Sequence, residues 1–400
     1  MVSERATRTT PFAAMDVLER ANRMDDAIHL EVGEPDFETP NAVTEAAVAA
    51  LRAGETGYTS SKGKPELRAA ISAYYDRQYG VDVDPARIVV TSGSSPALLL
   101  AFSVLVDPGD EVVLTDPHYA CYPNFVRQTG GRISTVPLSA ADGFCPRVGE
   151  FERTVSGDTE ALLLNSPANP TGAVLDGATL RELVELADAA DATVVSDEVY
   201  HGLTYEAEDH TALEYTDDAF VVDGFSKRFA MTGWRLGWLV VPEEYVGHVN
   251  RIAQNTLICA PNFVQSGGIA ALESDDDFFG GVRDTYRERR DFLVDEVEDW
   301  GMSLDYTPGG AYYLLVDVSD LPGDVLEQRS RASRTSSGKA FDAADFLLEE
   351  AGVATTPGPD FGANAADCLR LSYATSAEKL VEASERVQRA LETVELSTAD

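Results

Sequence analysis

A lysine set between aromatic residues can do chemistry that a solvated lysine cannot. Lys227 lies between Phe225 and Phe229, in a chain whose only other lysines are Lys62, Lys64, Lys339 and Lys379. Partial desolvation penalises its charged form and favours the neutral amine, the nucleophile of Schiff-base chemistry. A lysine with a buried stem and its head in water would read the same way. Asp197 closes an apolar run, where it is either a helix cap or a carboxylate placed at a strand end. Gly93, Ser94 and Ser95 stand between an apolar run and a helical pattern. Backbone N–H groups and hydroxyls at a helix start can hold an anion, and an ordinary turn with an N-cap accounts for them equally well. The segment is neither GxGxxG nor a P-loop, so dinucleotide and Walker-type phosphate binding are not indicated. The five histidines form no HExxH-like pattern. Cys121, Cys145, Cys259 and Cys368 are scattered without CxxC spacing, so free thiols are expected and no metal site.

These residues need elements to position them. RIVVTSG, EVVLTD, ALLLNSP, ATVVSDE and AFVVDGFS read as short buried strands. NAVTEAAVAALRAG, SPALLLAFSVLV and TLRELVELADAAD carry helical spacing between them. Continuous apolar strands separated by helices predict an α/β fold whose mostly parallel sheet is sandwiched by helices. Ligands of such sheets bind beyond the carboxyl ends of the strands. The polar clusters TSGSS, DPHY, NSPANPTG, SDEVY and DGFSK all fall there, which implies one shared crevice. From about residue 291 the texture changes, with AYYLLVDV and CLRLSYA as strands among helices. We expect an N-terminal segment, 1–45, packing with a smaller α+β C-terminal domain, 291–400, and a large domain at 46–290. Residues 321–340 read as a polar surface insertion carrying Arg329, Arg331, Arg334 and Lys339.

The chain has 400 residues, enough for a sizeable core, and 68 acidic residues against 31 basic give a net charge of −37. An apolar fraction of 44% argues against a disordered acidic chain. A folded protein with a self-repelling acidic surface is expected, and few lysines beside many acids resemble proteins of salt-accumulating archaea. This charge opposes nucleic acid and anionic membranes as partners. No apolar run reaches membrane-span length, and MVSERATRTTPF lacks the apolar core of a signal peptide. A soluble, cytoplasmic protein is therefore expected.

Taken together, VGEPDF (32–37), GYTSSKGKPELR (57–68), NPTG (169–172), DEVY (197–200), SKRFAMTGWRLG (226–237) and CLRLSYATS (368–376) resemble, in order, the motifs of the class I/II aminotransferases of fold type I. The resemblance spans nearly the whole chain. It implies pyridoxal 5'-phosphate as cofactor, bound through a Schiff base to Lys227. It implies Asp197 paired with the pyridine nitrogen, Tyr200 and Asn169 on the ring's 3' oxygen, and Tyr119 stacked on the ring. Ser94, Ser95, Ser226 and Arg235 would hold the phosphate. Tyr58 would reach the phosphate of the neighbouring subunit in a homodimer with shared sites. Arg370 would grip the substrate α-carboxylate, helped by backbone near Gly33. Gly224 departs from the many members that have serine three residues before the lysine. Members commonly have cis peptide bonds at the positions of Asn169–Pro170 and Asp116–Pro117, and both are expected here.

The activity implied is transfer of an amino group from an L-amino acid to a 2-oxo acid, with 2-oxoglutarate as the expected acceptor. A C–S β-lyase or other carbanion chemistry would use the same residues. A regulator with an aminotransferase-like domain is a further reading, against which the absence of a DNA-binding extension and the charge both speak. Some aspartate-using members carry a lysine in the loop where this chain has GSSPAL, so the donor is left open. Lys227→Ala is expected to lose the visible absorbance of the bound cofactor and nearly all turnover. Near-normal turnover in a coupled assay would exclude Lys227 as the base.

Overall fold

The computed structural model describes residues 2–274, 276–322 and 338–398. Arg329, Arg331 and Arg334 of the polar insertion lie outside the described residues. Twelve strands are present among them: β1 Ile28–His29, β2 Ile88–Thr91, β3 Glu111–Asp116, β4 Arg132–Pro137, β5 Thr159–Asn165, β6 Thr193–Asp197, β7 Phe220–Gly224, β8 Gly237–Val240, β9 Tyr313–Asp317, β10 Val353–Ala354, β11 Thr356–Pro357 and β12 Cys368–Ser372. Seven form one sheet in the order β2-β8-β7-β6-β5-β3-β4. Its neighbours are parallel except β8, which runs antiparallel to both β2 and β7. This is the largely parallel α/β architecture that the apolar runs imply. Two strands were not legible from those runs. β4 is an edge strand with mostly exposed or half-buried residues, and β8 is four residues of which the first is Gly237.

Alternation along each strand divides the core. In β5, Leu162 and Leu164 enter one apolar cluster while Ala161 and Leu163 enter another on the opposite face. The helix Ser94–Leu105 is apolar nearly all round and packs into the second of these, burying Ala97, Leu98, Ala101 and Phe102. The helix Gly177–Ala189 starts at Asp176, whose carboxylate accepts N–H groups of Ala178 and Thr179 at 3.0 and 2.9 Å. Those bonds, that of Thr179 first, hold its carboxyl below the usual range. A third cluster gathers Leu293 and Val297 of the helix Asp276–Asp299, and Trp300 just beyond it, with Leu314, Val316, Leu369 and Leu371 of the antiparallel sheet β11-β12-β9. Ile28 and Leu30 join it, because β1 pairs in parallel with β10.

The turn from β8 to the site is set by a glycine. A Cβ on Gly237 would lie 2.9 Å from the Gly93 carbonyl carbon and 3.0 Å from the Ser94 nitrogen. Bare backbone at Gly237 therefore lets the start of the helix Ser94–Leu105 sit against the sheet. The adjacent Trp238 is fully buried, with its Nε1 donating to Tyr75 Oη at 3.1 Å. Gly237→Ala should force these backbones apart and cost about 1–3 kcal/mol of stability, together with weaker retention of the cofactor. Chemical denaturation and dialysis read both, and an unchanged midpoint with unchanged retention would show the close approach to be dispensable.

Candidate active site

Beyond the carboxyl ends of β2, β3, β5, β6 and β7 the loops enclose a cavity of about 440 Å³, within the range of small-molecule sites. Gly33, Ser94, Ser95, Tyr119, Asn169, Asp197, Tyr200, Ser226, Lys227, Arg235 and Arg370 all line it. Tyr58 does not; it is 84% exposed on this chain's surface. Asn169–Pro170 and Asp116–Pro117 are cis, as expected, and so is Ser166–Pro167.

Lys227 follows β7 and extends across the cavity, where its Nζ donates to the Gly33 carbonyl at 2.7 Å. The amine lies 5.6 and 5.8 Å from the ring centres of Tyr200 and Tyr312. Burial lowers its pKa, and the charges of Arg370 and Arg235 act in the same direction. A neutral amine is therefore easier to form here than in water. Tyr312 Oη donates to the same Gly33 carbonyl at 3.0 Å. A Cβ on Gly33 would fall 1.7 Å from Tyr313 Oη, so this approach requires glycine.

Asp197 ends β6 and is 4% exposed. Its Oδ2 accepts from Tyr122 Oη at 2.7 Å and its Oδ1 from the Val199 N–H at 3.3 Å. Burial raises its pKa from 3.8 to about 6, although Tyr122, Val199 and the Lys227 charge all pull it down. Asn165, at the end of β5, donates to the Asp197 carbonyl at 2.9 Å and accepts from the Asn169 N–H at 2.9 Å. Tyr200 Oη shares a hydrogen with Tyr313 Oη at 2.9 Å, and burial pushes its pKa well up.

Arg370 rises from β12 and is 3% exposed. Its Nη1 donates to Asn169 Oδ1 at 3.0 Å and its Nη2 to Thr356 Oγ1 at 3.3 Å and to the Glu31 carbonyl. The guanidinium carbon lies 4.4 Å from the ring centre of Tyr313 and 4.9 Å from that of Phe361. Two aromatic faces thus fix the fork's plane. At the opposite end, Gly93 (φ 101°) precedes the helix Ser94–Leu105, and a Cβ there would meet Arg235 Nη2 at 2.5 Å. Arg235 itself has φ 54°, a left-handed backbone.

Pyridoxal phosphate, the group the resemblance implies, can be tested against this wall. It needs a carboxylate for a protonated ring nitrogen, a primary amine, an anion cradle and a flat slot. Asp197 is a buried carboxylate whose raised pKa marks the lack of a nearby cation strong enough to hold its charge. Lys227 supplies the amine. Ser94, Ser95, Ser226, Arg235 and the glycine-lined helix start supply the cradle, and Tyr119 lines the side. The residues fit the group. Among the described residues no cluster suited to a metal ion is present, and no helix is long and apolar enough to cross a membrane.

Among the participants not found from sequence are Tyr122, Tyr313, Phe361 and Glu31. Each is an ordinary residue of a helix, strand or turn by its neighbours in the chain. Only Glu31 carried a signal, a charged side chain between Leu30 and Val32 in an apolar stretch.

Residues 25–387 match the family described as aminotransferase class I and II. A (5-formylfuran-3-yl)methyl phosphate transaminase of Methanocaldococcus jannaschii is 35% identical over 400 residues, covering 98% of this chain and 100% of that protein. An aspartate/prephenate aminotransferase of Thermus thermophilus is 37% identical, covering 98% of each. The solved aspartate aminotransferase of Thermus thermophilus with maleate superposes with a TM-score of 0.89 at 36% identity, over 98% of this chain and 99% of that one.

The buried Asp197 gives a pH test. A folded-state pKa raised to about 6 favours the protonated form in the folded state. The carboxylate therefore destabilises the cofactor-free protein progressively as pH rises from about 4, where the unfolded chain ionises, to about 6, and the penalty levels off above that at on the order of 3 kcal/mol. Cofactor-free Asp197→Asn should be more stable than wild type at pH 8, and the difference should fade on going to pH 4. The same variant should bind the cofactor more weakly. A difference in melting temperature that does not change with pH would place the penalty elsewhere.

Proposed function

The chain belongs to the class I and II aminotransferases, which are pyridoxal-phosphate enzymes, and from that premise we propose that its cavity moves an amino group from an L-amino acid to a 2-oxo acid with Lys227 as the proton-transferring base. The observation that carries this reading is the convergence of Lys227, Asp197 and Arg370 on one cavity of about 440 Å³.

When bound, the cofactor supplies an aldehyde to capture the amino group and a ring to delocalise the electron pair left when the Cα proton departs. The chain's own residues do the rest. Arg235, Ser94, Ser95 and Ser226 hold the phosphate at the positive end of the helix Ser94–Leu105. Asp197 would keep the proton on the ring nitrogen, and Tyr122 and the Val199 N–H keep Asp197 aimed. A protonated ring nitrogen held there would offset the desolvation that raises the Asp197 pKa. Asn169 and Tyr200 would face the 3' oxygen, and Tyr119 would cover the ring. Arg370, flattened between Tyr313 and Phe361, orients the substrate through its α-carboxylate. Lys227 Nζ, biased toward neutrality by burial, anchors the cofactor, takes the proton from the substrate Cα and returns it on the cofactor side.

Tyr58 reaches the cavity of a second copy in the proposed homodimer, a reading supported by its exposure and its absence from this chain's own cavity wall. A net charge of −37 supports a protein that works in concentrated salt.

The test mixes cofactor-loaded protein at high salt with single L-amino acids and follows the visible absorbance. It then adds 2-oxoglutarate, the acceptor expected from sequence, or pyruvate. Loss of absorbance with an amino acid and its recovery with a 2-oxo acid are expected. Release of pyruvate and ammonia without any acceptor would assign the lyase chemistry instead.

A further inference from the structure

Tyr313 stands where two parts of the site meet. It opens β9, is buried and lines the cavity. Its ring lies 4.4 Å from the Arg370 guanidinium carbon, and its Oη lies 2.9 Å from Tyr200 Oη. The two phenol rings meet edge to face, with centres 5.8 Å apart and planes at 79°. Strand pairing fixes its backbone, because Tyr313 is opposite Ser372 of β12 in the register of the sheet. The bare backbone of Gly33 leaves room for the hydroxyl, since a Cβ there would fall 1.7 Å from it. The chemistry above uses the ring of Tyr313 and gives its hydroxyl no role.

The bond between the two hydroxyls can run either way, since each oxygen can donate or accept. Each phenol has one hydrogen to give. Burial, and then the neighbouring Tyr313, push the Tyr200 pKa well up, so Tyr200 keeps its hydrogen. A cofactor oxygen that carries negative charge can only accept. Once Tyr200 gives its one hydrogen to that oxygen, it has none left for Tyr313. The bond between the tyrosines must then run from Tyr313 to Tyr200. A phenol that accepts one hydrogen bond is polarised into a stronger donor of the next.

We propose that Tyr313 is a positioning residue whose hydroxyl donates to Tyr200 Oη and thereby strengthens the hold of Tyr200 on the cofactor's 3' oxygen. This rests on the assignment of Tyr200 to that oxygen. The 3' oxygen shares a proton with the Lys227 nitrogen once the two are joined, and a donor to the oxygen makes that proton easier to lose. Tyr313 therefore lowers the pH at which Lys227 gives it up.

Removal of one oxygen atom tests this. Tyr313→Phe keeps the ring against Arg370 and loses the hydroxyl. The pH midpoint of the visible absorbance of the cofactor-loaded protein should rise by about 0.3 unit, the size expected when a charge-assisted hydrogen bond loses roughly a fifth of its strength. Tyr200→Phe should raise the midpoint further, and Tyr313→Phe added to it should change nothing more. Binding gives a second readout. Tyr313→Phe should weaken the affinity for pyridoxal phosphate about twofold, by the same bond strength. The affinity for 3-deoxypyridoxal phosphate, which lacks the 3' oxygen, should stay as in the wild type. A midpoint that stays or falls in Tyr313→Phe while rising in Tyr200→Phe overturns the proposal. So does a Tyr313→Phe shift of equal size in both backgrounds, which would mark a purely structural role. If Tyr200→Phe itself leaves the midpoint in place, the assignment of Tyr200 to the 3' oxygen fails and the proposal falls with it.

Discussion

Asp197 carries a charge to a place that water does not reach, and much of its surroundings compensates for that. It ends a central strand flanked by β5 and β7, so its backbone is locked by the sheet. The side chain faces a cavity rather than solvent, and the only side-chain hydrogen bond to its carboxylate among the described residues comes from Tyr122. Desolvation wins against Tyr122, the Val199 N–H and Lys227 together, which is why its pKa stands at about 6. A carboxylate in this position is poised for a cation that arrives with a ligand. Stability is given up locally for that readiness, a pattern common at functional sites.

Lys227 has the complementary problem. It too is desolvated, and its pKa moves down where that of Asp197 moves up. Both shifts have the same cause, removal of water by the aromatic and backbone wall. Each charged form is disfavoured in the cofactor-free protein, so the pair does not neutralise itself as an ordinary buried salt bridge would. The crevice instead keeps an amine and an acid apart, each on its own strand end.

Arg370 shows how distant parts of the chain are bound into one site. The residue belongs to the antiparallel sheet β11-β12-β9, yet it bonds Asn169 from the loop after β5 and the Glu31 carbonyl from the N-terminal segment. Asp116 at the end of β3 accepts N–H groups of Ala363 and Asn364, and Asp360 accepts the Ala13 N–H at 2.7 Å. The N-terminal helix Ala13–Ala21, which contributes Ala14, Met15 and Leu18 to the cavity wall, is thereby tied to the turn after β11. Polar contacts rather than a continuous apolar core carry these connections.

The sequence alone determined the strands that are continuously buried, since a parallel strand covered on both faces must be apolar throughout. It also determined which polar clusters lie at their ends, and so eight residues that share the cavity, while Gly33, Arg235 and Arg370 were implied by the resemblance of their motifs. It did not reveal β4, whose edge position leaves it without an apolar run, or β8, which follows directly on the motif ending at Gly237. Only the tertiary structure decided that Tyr122 would face Asp197, that Tyr313 and Phe361 would sandwich Arg370, and that Glu31 would be buried with an open acceptor. Local patterning reports whether a side chain is buried, because burial follows the period of its own element. Which partner it meets there depends on elements as far as 339 residues away in the chain, as Glu31 and Arg370 show, and no local period encodes that.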